Sequence, residues 1–133
     1  NLALNGEAGA TTRPKFANLA FDGSNDTRWF SNPSSTRLNE SIVVDLGASY
    51  DLSRVDVYWH TNCASSYRIR GSNTAQNSGF STIADGLVGL PEQMVSTDVT
   101  GSGAYRWIRL QFFEKCVPGA SYSMYEIEVY GVP

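Results

Sequence analysis

Two sets of residues in this chain are of types that could do chemistry. The first is Asp22-Gly23-Ser24-Asn25-Asp26-Thr27, which crowds carboxylates, a carboxamide and hydroxyls around a glycine. Calcium takes six to eight oxygen ligands from such groups and from carbonyls, so this turn could supply part of a shell. Read alone, it is equally an ordinary Asp-Gly turn. The second set is Cys63 and Cys116. Neither sits in a CxxC or a His-rich stretch, so zinc is not expected. A disulfide is the simplest reading, and two buried thiols are the alternative. A disulfide places the chain in an oxidising, secreted or extracellular setting. Closing that long loop is worth roughly 3–4 kcal/mol in the chain-entropy model.

Catalysis finds little to work with. His60 is the one histidine. Neither GxSxG nor HExxH occurs, and no nucleophile stands beside a base. The chain therefore reads as a binder, not an enzyme. Its 133 residues suit one domain, and 41% hydrophobic with 12% aromatic residues is enough for a folded core. A net charge of −3 with 17% charged residues argues against nucleic acid, which needs clustered Lys and Arg. Lys15 and Lys115 are the only lysines, which argues against an anionic membrane surface. No apolar run approaches a membrane span. Without a starting Met, the chain is expected to be a mature module of a longer protein.

The elements that must position these residues are strands. Ser41–Leu46 places Ile42, Val44 and Leu46 on one face, and Arg54–Trp59 does so with Val55, Val57 and Trp59. Ser66–Gly71 alternates Tyr67 and Ile69 with Arg68 and Arg70. Arg106–Phe112 groups Ile108, Leu110 and Phe112. Tyr125–Tyr130 sets Tyr125, Ile127 and Val129 against Glu126, Glu128 and Tyr130. A period of two marks strands with one buried face. Turn signals separate them at 22–25, 31–35, 71–79, 101–103 and 118–119. A short turn over Phe16–Phe21 is the most helix the pattern allows. Short strands with regular turns suggest an all-β sandwich of jelly-roll type.

Several segments go beyond generic patterning. The chain opens NLALNG (Asn1–Gly6), continues NLAFDGSNDTRW (Asn18–Trp29), then VVDLG (Val43–Gly47) and VDVYWH (Val55–His60). YRIRGSN (Tyr67–Asn73), RWIRL (Arg106–Leu110) and YSMYEIEVYG (Tyr122–Gly131) follow. In this order they resemble the F5/8 type C or discoidin family, whose carbohydrate-binding branch is carbohydrate-binding module family 32. The resemblance covers essentially the whole chain and implies a galactose-binding-like jelly-roll β-sandwich. It also implies a structural calcium where the last strand meets the early turn. Asp22, Thr27 and Glu126 would supply side chains, and Leu19, Ser24, Thr27 and Tyr125 would supply carbonyls.

In this fold, ligands bind on loops at one end of the sandwich. A sugar needs a flat aromatic surface and a few polar groups that fix its hydroxyls. Candidates after the metal turn are Arg28, Phe30, Asn32 and Arg37. His60, Thr61 and Asn62 follow a strand, and Phe113, Glu114, Lys115 and Tyr122 flank Cys116. The family often has a polar residue, frequently glutamate, where this chain has His60, so the sugar is left open. Glu7 or Glu114 could take over the glutamate's role if either reaches the site. Trp29 and Trp59 read as core. Arg28 is a ligand contact or an internal salt-bridge partner, and His60 a ligand contact or a structural residue. A bridge between Cys63 and Cys116 would pin two candidate loops together and pre-organise them.

The function implied is a monomeric, non-catalytic module that ties a linked catalytic domain to an oligo- or polysaccharide. Galactosides come first among ligands, then amino-sugar polymers such as chitosan, then β-glucans or uronates. Affinity for one sugar in a shallow site would be weak, with Kd on the order of 0.1–1 mM. The alternative is a discoidin-type adhesion domain for a membrane or protein surface, with Phe30 and Phe113 as apolar spikes.

Overall fold

The computed structural model describes residues 1–35 and 39–133; Arg37 lies outside them. The elements are β1 (Ala8–Ala10), a 3-10 helix (Pro14–Ala20), β2 (Trp29–Phe30), β3 (Ser41–Trp59) and β4 (Ala64–Ser72). β5 (Ser81–Leu87), β6 (Met94–Asp98), β7 (Ala104–Lys115) and β8 (Ser123–Val132) follow. All strand pairs are antiparallel, in the order β2-β8-β3-β7-β4-β5, with β1 and β6 added on β3.

The two strands expected at Ser41–Leu46 and Arg54–Trp59 are one bent strand. Gly47 adopts φ +84°, open to glycine at no steric cost. Its N–H donates to Asp45 Oδ1 at 2.7 Å, and the pairing with β7 slips between Asp45 and Tyr50. Before the bend, β3 lies between β1 and β7. After it, β3 lies between β6 and β8. One strand thus serves both layers of the sandwich.

The core lies between those layers. Ile42, Val44, Val55, Val57, Trp59, Tyr67, Ile69, Ile108, Leu110, Phe112, Ile127 and Val129 are all buried, as their alternation predicts. Trp29 is buried with them, and Trp59 meets Tyr67 and Phe112 edge-on at 5.0 and 6.1 Å. One position departs from the alternation. Tyr125 is half-exposed, and Glu126, expected on the outward face, is 1% exposed. The cause is a bulge: Tyr58 pairs with Glu126 but Trp59 pairs with Met124, so Tyr125 is an extra residue in the ladder.

Cys63 and Cys116 form a disulfide with their Cα atoms 5.2 Å apart. Cys116 N–H also donates to Cys63 O at 3.0 Å, beside the Ala64–Lys115 pair that opens the β4–β7 ladder. The N-terminus is tied separately. Leu2 N–H donates to Val129 O, and Val129 N–H to Asn1 Oδ1. Converting both cysteines to alanine should lower unfolding free energy by about 4 kcal/mol, the loop-closure value for a separation of 53 residues. A denaturant midpoint that stays unchanged in the double variant would contradict this.

Candidate functional site

His60 follows β3 and begins a loop stitched to the start of β8. Its N–H donates to Ser123 O at 3.2 Å, and Ser123 N–H donates to Asn62 O at 2.7 Å. Asn62 N–H in turn donates to His60 Nδ1 at 3.2 Å. That bond requires a neutral imidazole with its proton on Nε2. Burial and the positive charge of Arg28 both hold the His60 pKa below its usual value, against an opposing pull from Glu92. Arg28 precedes β2 and donates to Ser123 Oγ at 2.8 Å. Arg28 has no carboxylate partner among the described residues, so its salt-bridge reading does not hold.

The bulge turns the Tyr125 ring into the same cluster. It meets the His60 ring edge-on at 5.6 Å and Tyr58 at 5.0 Å. Glu92, from the loop between β5 and β6, completes the group. Its Oε1 accepts from Thr61 N–H at 3.2 Å and Thr61 Oγ1 at 2.9 Å. Tyr125 Oη lies 3.0 Å from both carboxylate oxygens. These donors, Thr61 first, outweigh desolvation and hold the Glu92 carboxyl below its usual pKa. The result is a solvent-facing carboxylate fixed between a hydroxyl, an amide and a phenol.

Local sequence explains why the Glu92 loop sits here. Gly89 N–H donates to Ala64 O at 2.8 Å, and a Cβ at Gly89 would fall 2.5 Å from that oxygen and 2.8 Å from the Trp59 ring. Only glycine permits this approach. Trp59 N–H donates to Gln93 O at 3.0 Å, and Cys116 Sγ lies 4.0 Å from Gly89 O. The disulfide therefore touches both loops, ending one at Cys63 and abutting the other at Gly89.

Phe30 lies next to Arg28. The Arg13 and Arg28 guanidinium carbons sit 3.6 and 4.9 Å from its ring centroid, within cation–π range. The contacts of the other expected ligand residues are with groups other than the His60 ring. Phe113 packs under Arg68, and Glu114 pairs with Ser66 on the β4–β7 ladder. Lys115 Nζ is 5.7 Å from the Tyr122 ring centroid. Tyr122 is 6% exposed and stacks on Phe112 at 4.8 Å, so its ring belongs to the core and offers little surface. Asn32 caps its own turn, accepting from Ser34. Glu7 precedes β1, where its carbonyl accepts from Asp45 N–H. Glu92 was not among the expected residues. Gly89 and Pro91 mark its loop, but nothing local in the sequence pairs that loop with His60.

A second assembly lies on the other side of the bulge. Asp22 Oδ1 accepts from Ser24 N–H at 3.1 Å and Oδ2 from Thr27 Oγ1 at 2.5 Å. Glu126 Oε1 accepts from Gly23 N–H at 3.0 Å, while Oε2 is buried without a partner. Burial first, and the neighbouring Asp22 carboxylate second, push the Glu126 pKa up to about 8. Leu19 stands in the last turn of the 3-10 helix that leads into this loop. No cluster of three His, Cys, Asp or Glu residues occurs among the described residues. Two carboxylates with an orphaned oxygen, beside a hydroxyl and irregular backbone, nevertheless fit an oxygen-seeking cation.

Residues 19–110 match the model of a family described as the F5/8 type C, NedA-like, galactose-binding domain. Among solved structures, the chain is similar to chitosan-binding module 1 of a chitosanase/glucanase from Paenibacillus sp. IK-5. Identity is 32%, coverage is 98% of each chain, and the TM-score is 0.86. Chitosan-binding module 2 of that enzyme, in complex with chitotriose, is 25% identical over 98% of this chain and 100% of its own, with TM-score 0.85. The family 32 carbohydrate-binding module of Clostridium perfringens NanJ, in complex with galactose, shares the fold at 21% identity. It covers 92% of this chain and 90% of its own, with TM-score 0.77. The search of curated proteins finds no match.

The His60 geometry has a measurable consequence. Its folded pKa lies below the unfolded value near 6.5, so the fold loses stability as pH falls from about 6.5 toward the folded midpoint. An NMR titration of the imidazole should show a midpoint below 6.5. Glu92→Gln should lower that midpoint further, and Arg28→Gln should raise it. Shifts of the opposite sign would mean these charges do not face the ring.

Proposed function

Because the chain belongs to the F5/8 type C family of NedA-like, galactose-binding domains, we propose that its His60, Arg28, Glu92 and Tyr125 cluster binds amino-sugar oligomers of the chitosan type. The domain itself is a non-catalytic binding module. One observation carries the choice of ligand. The Glu92 carboxylate is held by Thr61 and Tyr125 with its charge retained and its surroundings open to solvent. A fixed anion of this kind suits the ammonium of a glucosamine unit and has no such partner on a neutral hexose. The Tyr125 and Tyr58 rings offer apolar surface to a sugar face, and His60 Nε2–H and Arg28 offer donors to hydroxyls. The likeness to chitosan-binding modules at 32% and 25% identity supports the same reading.

Binding of this kind serves to raise the local concentration of something attached. A catalytic domain linked to the module would be held on its polysaccharide without any new contact. The disulfide suits a secreted setting.

We further propose that the Asp22 and Glu126 assembly holds a structural calcium. Asp22, Thr27 and Glu126 would contribute side-chain oxygens, and Leu19, Ser24, Thr27 and Tyr125 carbonyls. The ion would satisfy Glu126 Oε2 and tie the early turn to β8.

Two experiments test these readings. In calorimetric titrations at mildly acidic pH, Glu92→Gln should weaken binding of deacetylated glucosamine oligomers about tenfold. It should leave the N-acetylated oligomers nearly unaffected. Equal losses for both, or tighter binding of galactosides than of either by the wild type, would sink the amino-sugar assignment. For the metal, calcium should raise the melting temperature and a chelator should reverse the rise. Glu126→Gln should abolish that response, yet melt no lower than wild type in chelator, because the uncharged amide replaces a carboxyl that is itself protonated below about pH 8 without the metal. A calcium response that survives in the variant argues against the site.

A further inference from the structure

A cavity of about 190 Å³ opens on the outer face of the sheet, lined by Ala10, Thr11, Val43, Gln76, Asn77 and Arg109. It shares no residue with the His60 cluster. Val43 is buried and forms the apolar floor, with Arg109 its cross-strand partner on β7. Gln76 lies across β1, so that a Cβ on Gly9 would fall 2.3 Å from Gln76 Nε2.

Charge is what distinguishes this groove. Arg70 on β4 pairs directly with Arg109 on β7, and both guanidinium carbons lie over the Phe80 ring, at 6.0 and 4.7 Å. Arg54, Arg68 and Arg106 each have a carboxylate partner, whereas Arg70 and Arg109 have none among the described residues. Glu40, next to Ser41, is buried and accepts from Thr12 Oγ1 at 2.8 Å instead. In a chain of net charge −3, two adjacent cations are left unneutralised. Arg109 donates to Ser41 Oγ at 2.6 Å, Gln76 O at 2.8 Å and Asn77 Oδ1 at 3.1 Å. Those bonds hold the 73–79 loop over the sheet but bring no negative charge, and Arg109 Nε stays buried without an acceptor. Burial and the charge of Arg70 both lower the Arg109 pKa, the signature of a cation lacking its counter-ion.

We infer that this groove is a second binding site, taking the carboxylate of one acidic sugar unit, such as a uronate. The inference does not rest on the amino-sugar reading of the His60 cluster. A carboxylate at Arg109, with Arg70 beside it on the neighbouring strand, supplies the missing charge. Thr11, Gln76 and Asn77 offer hydroxyl and carboxamide groups to ring hydroxyls, and Ala10 and Val43 offer an apolar floor. The volume falls short of the roughly 300–1,000 Å³ of drug-sized sites, which limits the occupant to a single unit.

The test is an amide NMR titration of the whole chain at low salt with digalacturonate, a neutral digalactoside and acetate. Digalacturonate should shift the Thr11, Val43, Gln76 and Arg109 amides saturably and leave Thr61 and Glu92 unmoved. Arg109→Gln should weaken it about tenfold, the loss of a charged hydrogen-bond donor. Since Arg109 also holds the 73–79 loop, Arg70→Gln provides a variant that spares those contacts. It should weaken binding less, and the difference from wild type should vanish at high salt. Shifts confined to Thr61 and Glu92, equal shifts with the neutral disaccharide, or unchanged affinity in Arg70→Gln would each overturn the site. Acetate acting as strongly as digalacturonate would overturn the saccharide assignment.

Discussion

Tyr58 faces Glu126 and Trp59 faces Met124, and the residue between has no place in the ladder. Both candidate sites depend on that extra residue. In a regular strand, Tyr125 would point inward with Ile127, and Glu126 would point outward into water. The bulge instead frees the Tyr125 ring to stand beside His60 and Tyr58. It also lets Glu126 be buried against the Asp22 turn. Burial of an unpaired charge is costly, and without a cation this group stays protonated up to about pH 8. The strand irregularity and the polar turn are therefore one feature, with the calcium proposal its chemical completion. The half-exposed Tyr125 phenol beside His60 is its other product.

Burial first and Arg28 second outweigh the opposing pull of Glu92 and hold the His60 pKa below its usual value, which leaves the imidazole neutral around pH 7. Neutrality matters for geometry as much as for charge. The Asn62 N–H to Nδ1 bond forms only with an unprotonated Nδ1, and it fixes the ring so that Nε2–H faces away. The cluster thus presents one cation, one neutral donor and one anion in fixed positions. Such a set distinguishes ligands by where their charges lie, which a shallow surface cannot do by shape alone.

The sandwich was readable because its strands are half-buried. In β4 and β7 the alternation of Tyr67 and Ile69, and of Ile108, Leu110 and Phe112, marks the core face directly. The edge strands β5 and β6 were not readable. No residue of either is buried: β5 shows no period of two, and β6 alternates only between exposed and half-buried positions, Val95 and Thr97. The bend at Gly47 was hidden for a different reason. A glycine between two apolar runs reads as a break, yet here it lets one strand cross between layers. Within the site, Arg28, His60 and Asn62 stood out because the strand and turn preceding them are strong local signals. Glu92 did not, because its partners Thr61 and Tyr125 reach it only through the folded topology.

The disulfide gains its meaning from that same topology. Cys63 closes the His60 loop, and Cys116 abuts Gly89, where the Glu92 loop starts. Those two loops hold the imidazole and the carboxylate, and neither belongs to a regular element that would fix it. Trp59 N–H to Gln93 O and Gly89 N–H to Ala64 O add backbone ties on the same side. Ordering a flexible loop on binding costs free energy that a single sugar, with few contacts, cannot return. Under the proposed function, such a surface works only if its charges are already in place before the ligand arrives. The covalent bridge, the glycine that allows close approach, and the hydroxyl and phenol that grip Glu92 all lower that cost in advance.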